Sequence, residues 1–309
     1  MIAERVQFLE YAIREIAALV EKMERSGKKV IKLHIGDPLK FDFKVPEVFK
    51  EALKKHAGKG FYGPSEGVEE LREEIEKWEK KKGVEVEKDR IFVTQGLSEA
   101  ITFLMGILVE PGDKVLLPKP VYPLYLNFSQ FFGGVPIFYD VLNEDEEEIK
   151  EKAENAKVAV LINPNNPTGI VHRKSFVKNF VEICEEKKIP LIVDEIYDLV
   201  YFDKKPTNAG IFGSEFTIVL NGFSKSFLAP GYRLGYVYFN GLEDVAEAFL
   251  KCLRTRLSAN TPVQYAAAEA MREGGSWIPK LREKLKKRRD RAYKELKRIF
   301  DVKKPEGAF

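Results

Sequence analysis

Cysteine and histidine are scarce in this chain: Cys184, Cys252 and three histidines are spread over 309 residues. Neither cysteine stands in a metal-ligand or disulfide spacing, so a disulfide framework and a histidine-rich metal centre are excluded, and a reducing cytoplasm fits. Charge of one sign is lacking too. The 51 Lys and Arg nearly cancel the 48 Asp and Glu, leaving +3, so neither a nucleic acid nor an acidic surface has an electrostatic reason to bind, whereas small anionic metabolites do not need one. No apolar run approaches the ~20 residues that cross a bilayer, and the amphipathic start MIAERVQFLEYAIREI carries acids, unlike an export signal. A cytoplasmic protein with no membrane and no nucleic-acid partner is expected. Repeats and low-complexity tracts are absent as well. Abundant Lys and Glu beside 2 Cys and 4 Met is compatible with a heat-adapted source.

What the chain has is apolar content, 44%, and a length beyond a usual single core, which predicts one large domain and a smaller one. Apolar β-rich runs alternate with longer charged helical patterns, the mark of βαβ units. Strands are read at 90–94, 113–117, 157–162, 190–193 and 217–220, continuously apolar as expected when both faces are covered, with one more at 234–239. Helices are read at 4–25, at 66–82 with Ser65 as N-cap, from Gly96 onward, and at 174–187. The fold class is α/β, a mostly parallel doubly wound sheet. Residues 276–300 form a long amphipathic helix whose basic face is interrupted by Glu283, Asp290 and Glu295; it reads as a solvated bridge between domains rather than a nucleic-acid element. The division expected is 36–275 for the large domain, with 1–35 and 276–309 as an N-terminal arm, bridging helix and incomplete small domain.

Five strand ends carry polar residues that a buried core would not choose. After the strand at 217–220 comes NGFSKSFLAPGYRLGY, where Gly222, Ser224, Ala229, Pro230 and Gly231 interrupt helix and strand alike. Lys225 in this loop reads as a reactive amine, with Arg233 eight positions on. After 157–162 the turn NPNNPTG lets Asn166 present an amide to a ligand, although a plain β-turn explains it equally in isolation. After 190–193 stand Asp194 and Tyr197; a carboxylate leaving a buried strand is costly unless it meets a cation, with ordinary capping as the alternative. Gly96, Leu97 and Ser98 start a helix, whose backbone N–H groups favour an anion. Tyr122 follows a Pro-rich strand end and offers a flat face for stacking or for packing. Together these groups are what pyridoxal 5′-phosphate (PLP) requires: an amine for its aldehyde, a helix start and an arginine for its phosphate, and a carboxylate for its pyridine nitrogen.

With these residues in place the chain resembles, over essentially its whole length, a class I/II aminotransferase of PLP fold type I. The motifs that carry the resemblance are IGDP at Ile35, YGPSEG at Tyr62, TQGLSEA at Thr94, NPNNPTG at Asn163, DEIY at Asp194 and the lysine loop. The resemblance implies that Lys225 holds PLP as the internal aldimine and shuttles the substrate α-proton, that Asp194 pairs with the pyridinium, and that Asn166 and Tyr197 hydrogen-bond the ring oxygen. It implies further that Tyr122 stacks on the ring and that Arg233, Gly96, Leu97 and Ser98 grip the phosphate. Gly36 is expected to let the backbone approach the substrate carboxylate, beside Asn166. Tyr62 is expected to reach the neighbouring site of a homodimer. No metal is implied.

Two departures stand out. Gly222 occupies a place where the family often has a phosphate-binding serine, leaving Ser224 as the candidate. The chain also ends at KPEGAF, which resembles the family's P-x-G-A-F motif opening a small-domain strand. This predicts a truncated or partial form of a longer enzyme.

The reaction implied is two-stage transamination between an L-amino acid, with alanine or aspartate favoured, and a 2-oxo acid such as 2-oxoglutarate. Alternatives are a PLP-dependent C–S lyase or racemase on the same scaffold and a non-catalytic aminotransferase-like binding domain. A nicotinamide dehydrogenase lacks its G-x-G-x-x-G after a strand.

Overall fold

The computed structural model describes residues 1–9, 12–32 and 36–309. In chain order its elements are α1 (Ala12–Arg25), α2 (Glu47–His56), α3 (Glu69–Lys80), β1 (Ile91–Thr94), α4 (Leu97–Leu108), β2 (Lys114–Lys119), α5 (Pro123–Phe131), β3 (Val135–Asp140), α6 (Glu146–Ala153) and β4 (Ala156–Ile162). They continue with α7 (Lys174–Glu186), β5 (Leu191–Asp194), β6 (Thr217–Gly222), β7 (Gly235–Phe239), α8 (Glu243–Arg256), α9 (Thr261–Arg272) and α10 (Ile278–Leu296).

The strands form one seven-stranded sheet in the order β1-β7-β6-β5-β4-β2-β3. All neighbours are parallel except β7, which runs antiparallel to both β6 and β1. The middle of each central strand is a continuous apolar run because successive side chains enter different cores. Leu191 and Val193 face a core shared with α2, α3, α7 and α9, while Ile192 faces one shared with α4, α5 and α8. Burying each such side chain stabilises the fold by about 1.5–3 kcal/mol, and helices on both faces make the sheet doubly wound, as expected from the run pattern. A third, smaller core joins Leu281 and Leu285 of α10 to Phe43, Tyr197, Val200 and Leu228.

Register places the site. Ile162 pairs with Asp194, and Asp194 with Leu220, so the turns that follow β4, β5 and β6 open on one rim of the sheet. Thr94 pairs with Gly235 of the antiparallel β7; the residue that follows β1 by two positions and the residue that precedes β7 by two therefore meet at that same rim.

Three local expectations are corrected. β3 was not among the strands read from sequence: it is an edge strand with Pro136 and mostly half-buried side chains, so it has no continuous apolar run. Ser65 does not cap α3, which starts after Val68 with no side-chain cap. Gly67, at φ +113°, closes a turn onto Pro64, and the chain cannot enter a helix through that conformation. The helix expected over 4–25 is instead a 3₁₀ turn at Glu4–Phe8 followed by α1, since Leu9 leaves helical dihedrals at ψ 74°. At the other end, Gly307 forms an antiparallel bridge with Tyr201, and the Glu306 and Gly307 amides donate to Gly169 O at 2.8 and 2.9 Å.

Candidate active site

The rim gathers side chains from sequence positions 97 to 233 into one cavity. Lys225, Asp194, Tyr197, Asn166, Tyr122 and Arg233 line it, together with Ser98, Leu97 and Ser224, all of them read from sequence. Ile162, Ile196 and Pro230 add apolar wall. The Lys225 ammonium stands 5.3 Å from the Tyr197 ring centroid and 5.3 Å from that of Phe309, and the two rings meet edge to face.

Asp194 is the last residue of β5 and is buried. Its Oδ1 accepts the Ile196 N–H at 3.1 Å and its Oδ2 accepts the Tyr125 phenol at 3.0 Å. Burial pushes its carboxyl up to about 6, against the lowering effects of the Ile196 N–H, the Tyr125 hydroxyl and the Lys225 charge. Such a group is short of positive charge and would gain from a cationic ligand atom. The next carboxyl, Glu195, points to the opposite side of the chain, where it accepts from Asn208 Nδ2 at 2.5 Å and Ala209 N at 2.7 Å. Burial pushes it up to about 8.

Asp198 faces a buried cation. Lys82 Nζ lies 2.9 Å from Asp198 Oδ2 and 2.5 Å from Glu79 Oε1, and Asn221 Nδ2 donates to the same Asp198 oxygen at 3.0 Å. Burial alone lowers the Lys82 pKa, but Asp198, Glu79 and Glu195 outweigh it and hold it above the ordinary lysine value. This cluster ties the end of α3 to the turn bearing Asp194 and Tyr197 and to β6, which leads to Lys225.

The turn between β1 and α4 is shaped for an anion. Gly96 caps α4 at φ +76°, and a Cβ there would come within 2.7 Å of Arg233 Nη2. Arg233 is itself left-handed, at φ 54°, and its guanidinium donates to Pro230 O at 3.0 Å and to Gln95 O at 3.4 Å. Two strained positions face each other so that a guanidinium and a helix start share one small volume. In the turn after β4, Asn165 Oδ1 accepts both the Thr168 N–H at 3.2 Å and its hydroxyl at 2.7 Å, shaping the loop from which Asn166 enters the cavity.

Three candidates are not among the residues lining this cavity: Gly36, Tyr62 and Gly96, the last of which packs against Arg233. Gly36 packs against Phe309, so that a Cβ would reach its ring at 2.9 Å, and thereby borders the Lys225 side of the site. Tyr62 is 81% exposed. Ile35, the first residue of the IGDP motif, is outside the described residues.

Sequence reasoning missed Tyr125, Phe309, Ile196 and the Lys82 cluster. Tyr125 had a usable signal, since it stands three residues after Tyr122 across the Pro123 start of α5 and so falls on the same helical face. Lys82 had none, being one lysine among many.

A second cavity of about 420 Å³ adjoins the first at Asn166 and runs between the 167–169 turn and α10. Its arginines are engaged: Arg288 with Asp42 at 2.6 Å and Arg289 with Asp203 at 2.7 Å. It holds neither Lys225 nor Asp194.

The family model described as aminotransferase class I and II matches residues 28–309. A probable aspartate aminotransferase from Methanocaldococcus jannaschii is 36% identical over 96% of this chain and 80% of its own length. Among solved structures, an alanine aminotransferase from Pyrococcus furiosus superposes with a TM-score of 0.96 at 40% identity, covering 100% of this chain and 83% of that one. The aspartate aminotransferase from Thermus thermophilus with maleate follows at a TM-score of 0.92 and 30% identity, over 100% and 84%.

Proposed function

We propose, from the premise that this chain belongs to the class I and II aminotransferase family and is a PLP-dependent transaminase acting on amino acids and 2-oxo acids, that it transfers the amino group of L-alanine, ahead of L-aspartate, to an acceptor such as 2-oxoglutarate. The observation that carries the reading is the convergence of Lys225, Asp194 and Arg233 on one cavity. The residues fit the cofactor: the buried Asp194 carboxyl calls for a cationic partner, and only a glycine at 96 leaves Arg233 beside the helix start.

When bound, PLP supplies an aldehyde for covalent capture of an amine and a ring that takes up the electron pair released at the substrate α-carbon. Lys225 Nζ would be the covalent anchor for that aldehyde and, when free, the base that receives the α-proton. Asp194, held by Ile196 N–H and the Tyr125 hydroxyl, keeps the ring nitrogen protonated. Arg233, the Leu97 and Ser98 amides and Ser224 take the phosphate, and Tyr122 covers the ring. Asn166 and Tyr197 donate to the ring oxygen. Gly36 and Asn166 are assigned to the substrate carboxylate side.

Alanine is placed first because the cationic side chains among the described residues lining this cavity are Lys225 and Arg233, both committed to the cofactor, while Leu97, Ile196 and the neighbouring Phe309 are apolar. A relative named for alanine, at 40% identity, supports the same order. Tyr62, exposed on its own subunit, is read as reaching the partner's site in a homodimer. Residues 36–275 are read as the large domain, with 1–35 and 276–309 as arm, bridging helix and part of a small domain. No described helix is long and apolar enough to cross a membrane.

The test is a donor screen with 2-oxoglutarate as acceptor, reading glutamate formed. Glutamate from alanine faster than from aspartate is expected; aspartate ahead of alanine sinks the order proposed, and ammonia released without any acceptor sinks transfer itself.

A further inference from the structure

The start of α4 already holds one anion, the Glu99 carboxylate. Glu99, at the third helical position, turns back so that its Oε2 accepts the Gln95 N–H at 2.9 Å. Its other oxygen, Oε1, is 3.2 Å from Arg256 Nε, with the two side chains only 13% and 10% exposed. Arg256 is the last residue of α8, and its Nη2 donates to Val93 O at 2.9 Å. The Gln95 peptide closes the circuit, because its carbonyl accepts from Arg233 Nη2 at 3.4 Å while its N–H is held by Glu99.

A carboxylate at a helix N-terminus is favourable for the helix, but it draws on the same positive potential that a phosphate there would use. Little water reaches it, so its repulsion of a second anion is weakly screened. A cation committed to that carboxylate removes the conflict. Arg256 is the ion-pair partner found at Glu99, and it holds the strand end before the turn as well.

We propose that Arg256 is a positioning residue for phosphate binding: by neutralising Glu99 and pinning Val93, it leaves the 96–98 turn and Arg233 shaped and charged to receive the cofactor phosphate. The inference rests on the cofactor seat proposed above. It is distinct from the phosphate contacts, since Arg256 acts through Glu99 and the backbone.

The test titrates the cofactor-free protein with PLP and, separately, with pyridoxal, which has the same aldehyde and ring but no phosphate. Arg256→Met is expected to weaken PLP about tenfold and pyridoxal less than about twofold. The double variant Arg256→Met with Glu99→Gln should recover most of the PLP affinity. Glu99→Gln alone keeps an acceptor for the Gln95 N–H and folds without a buried charge left over on its own side chain; it should bind PLP at least as tightly as the parent. Equal weakening of both ligands in Arg256→Met, or weaker PLP binding in Glu99→Gln, overturns the proposal. If Arg256→Met does not fold, the Glu99→Gln result decides. A parent protein that captures neither ligand at Lys225 removes the cofactor seat itself, an outcome separate from any difference among the variants.

Discussion

Tyr125 Oη donates to Asp194 Oδ2 at 3.0 Å, with both groups buried, and so fixes from one side a carboxylate that Ile196 N–H fixes from the other. The bond orients Asp194 into the cavity and favours its charged form, against the burial that pushes its carboxyl up to about 6. Burial and the Asp194 charge in turn hold the Tyr125 phenol well above its ordinary value, so it stays a donor.

Replacing Tyr125 by Phe should therefore leave the fold intact and loosen the cofactor. A hydrogen bond to a charged group contributes about 1.5–3 kcal/mol, so PLP should bind roughly tenfold more weakly or worse, measured by equilibrium dialysis of the resolved protein. Unchanged binding in Tyr125→Phe would show that the bond does nothing for Asp194.

Asp194 also sets a pH dependence. Its folded pKa lies above the unfolded one, so in the cofactor-free protein its contribution to stability is present below pH ~4 and is lost as pH rises through about 6, where the buried carboxyl must ionise. A cationic ring nitrogen cancels that cost. The gain in Tm on adding PLP should thus grow between pH 5 and pH 7, and Asp194→Asn should flatten it. A parent whose gain is the same at both pH values contradicts this role.

Gly96→Ala sets a Cβ 2.7 Å from Arg233 Nη2 at a φ of +76°. Strain of about 1–2 kcal/mol is expected at that backbone conformation, visible in chemical denaturation, together with a larger loss of affinity for PLP than for pyridoxal because the guanidinium must move. Equal losses for the two ligands would place the damage elsewhere than the phosphate seat.

Lys82→Met strands Glu79 and Asp198 as buried carboxyls without their cation. Breaking such a buried pair costs about 3–5 kcal/mol, read as a fall in the denaturation midpoint, and adding Asp198→Asn should recover part of it. Full stability in the single variant would mean that water, rather than Lys82, balances these acids.

The central strands were legible because burial on both faces leaves no polar position in runs such as VAVL and LIV, and the site loops because small and polar residues follow those runs abruptly. β3 escaped because an edge strand need not be apolar, and the true start of α3 because the conformation of Gly67 overrode the capping pattern at Ser65. Partners far apart in the chain left no mark: Tyr125 and Asp194 are 69 residues apart, and Arg256 and Val93 are 163. Which lysine is buried, Lys82, and which arginine serves Glu99 are decided by packing alone.

Lys225 is the proposed covalent seat of the cofactor. The most direct measurement is to incubate the protein with PLP, reduce it with borohydride, digest it and locate the added mass. One stoichiometric label is expected on the peptide containing Lys225, absent in Lys225→Ala; a label scattered over surface lysines, or none, would rule Lys225 out as the seat.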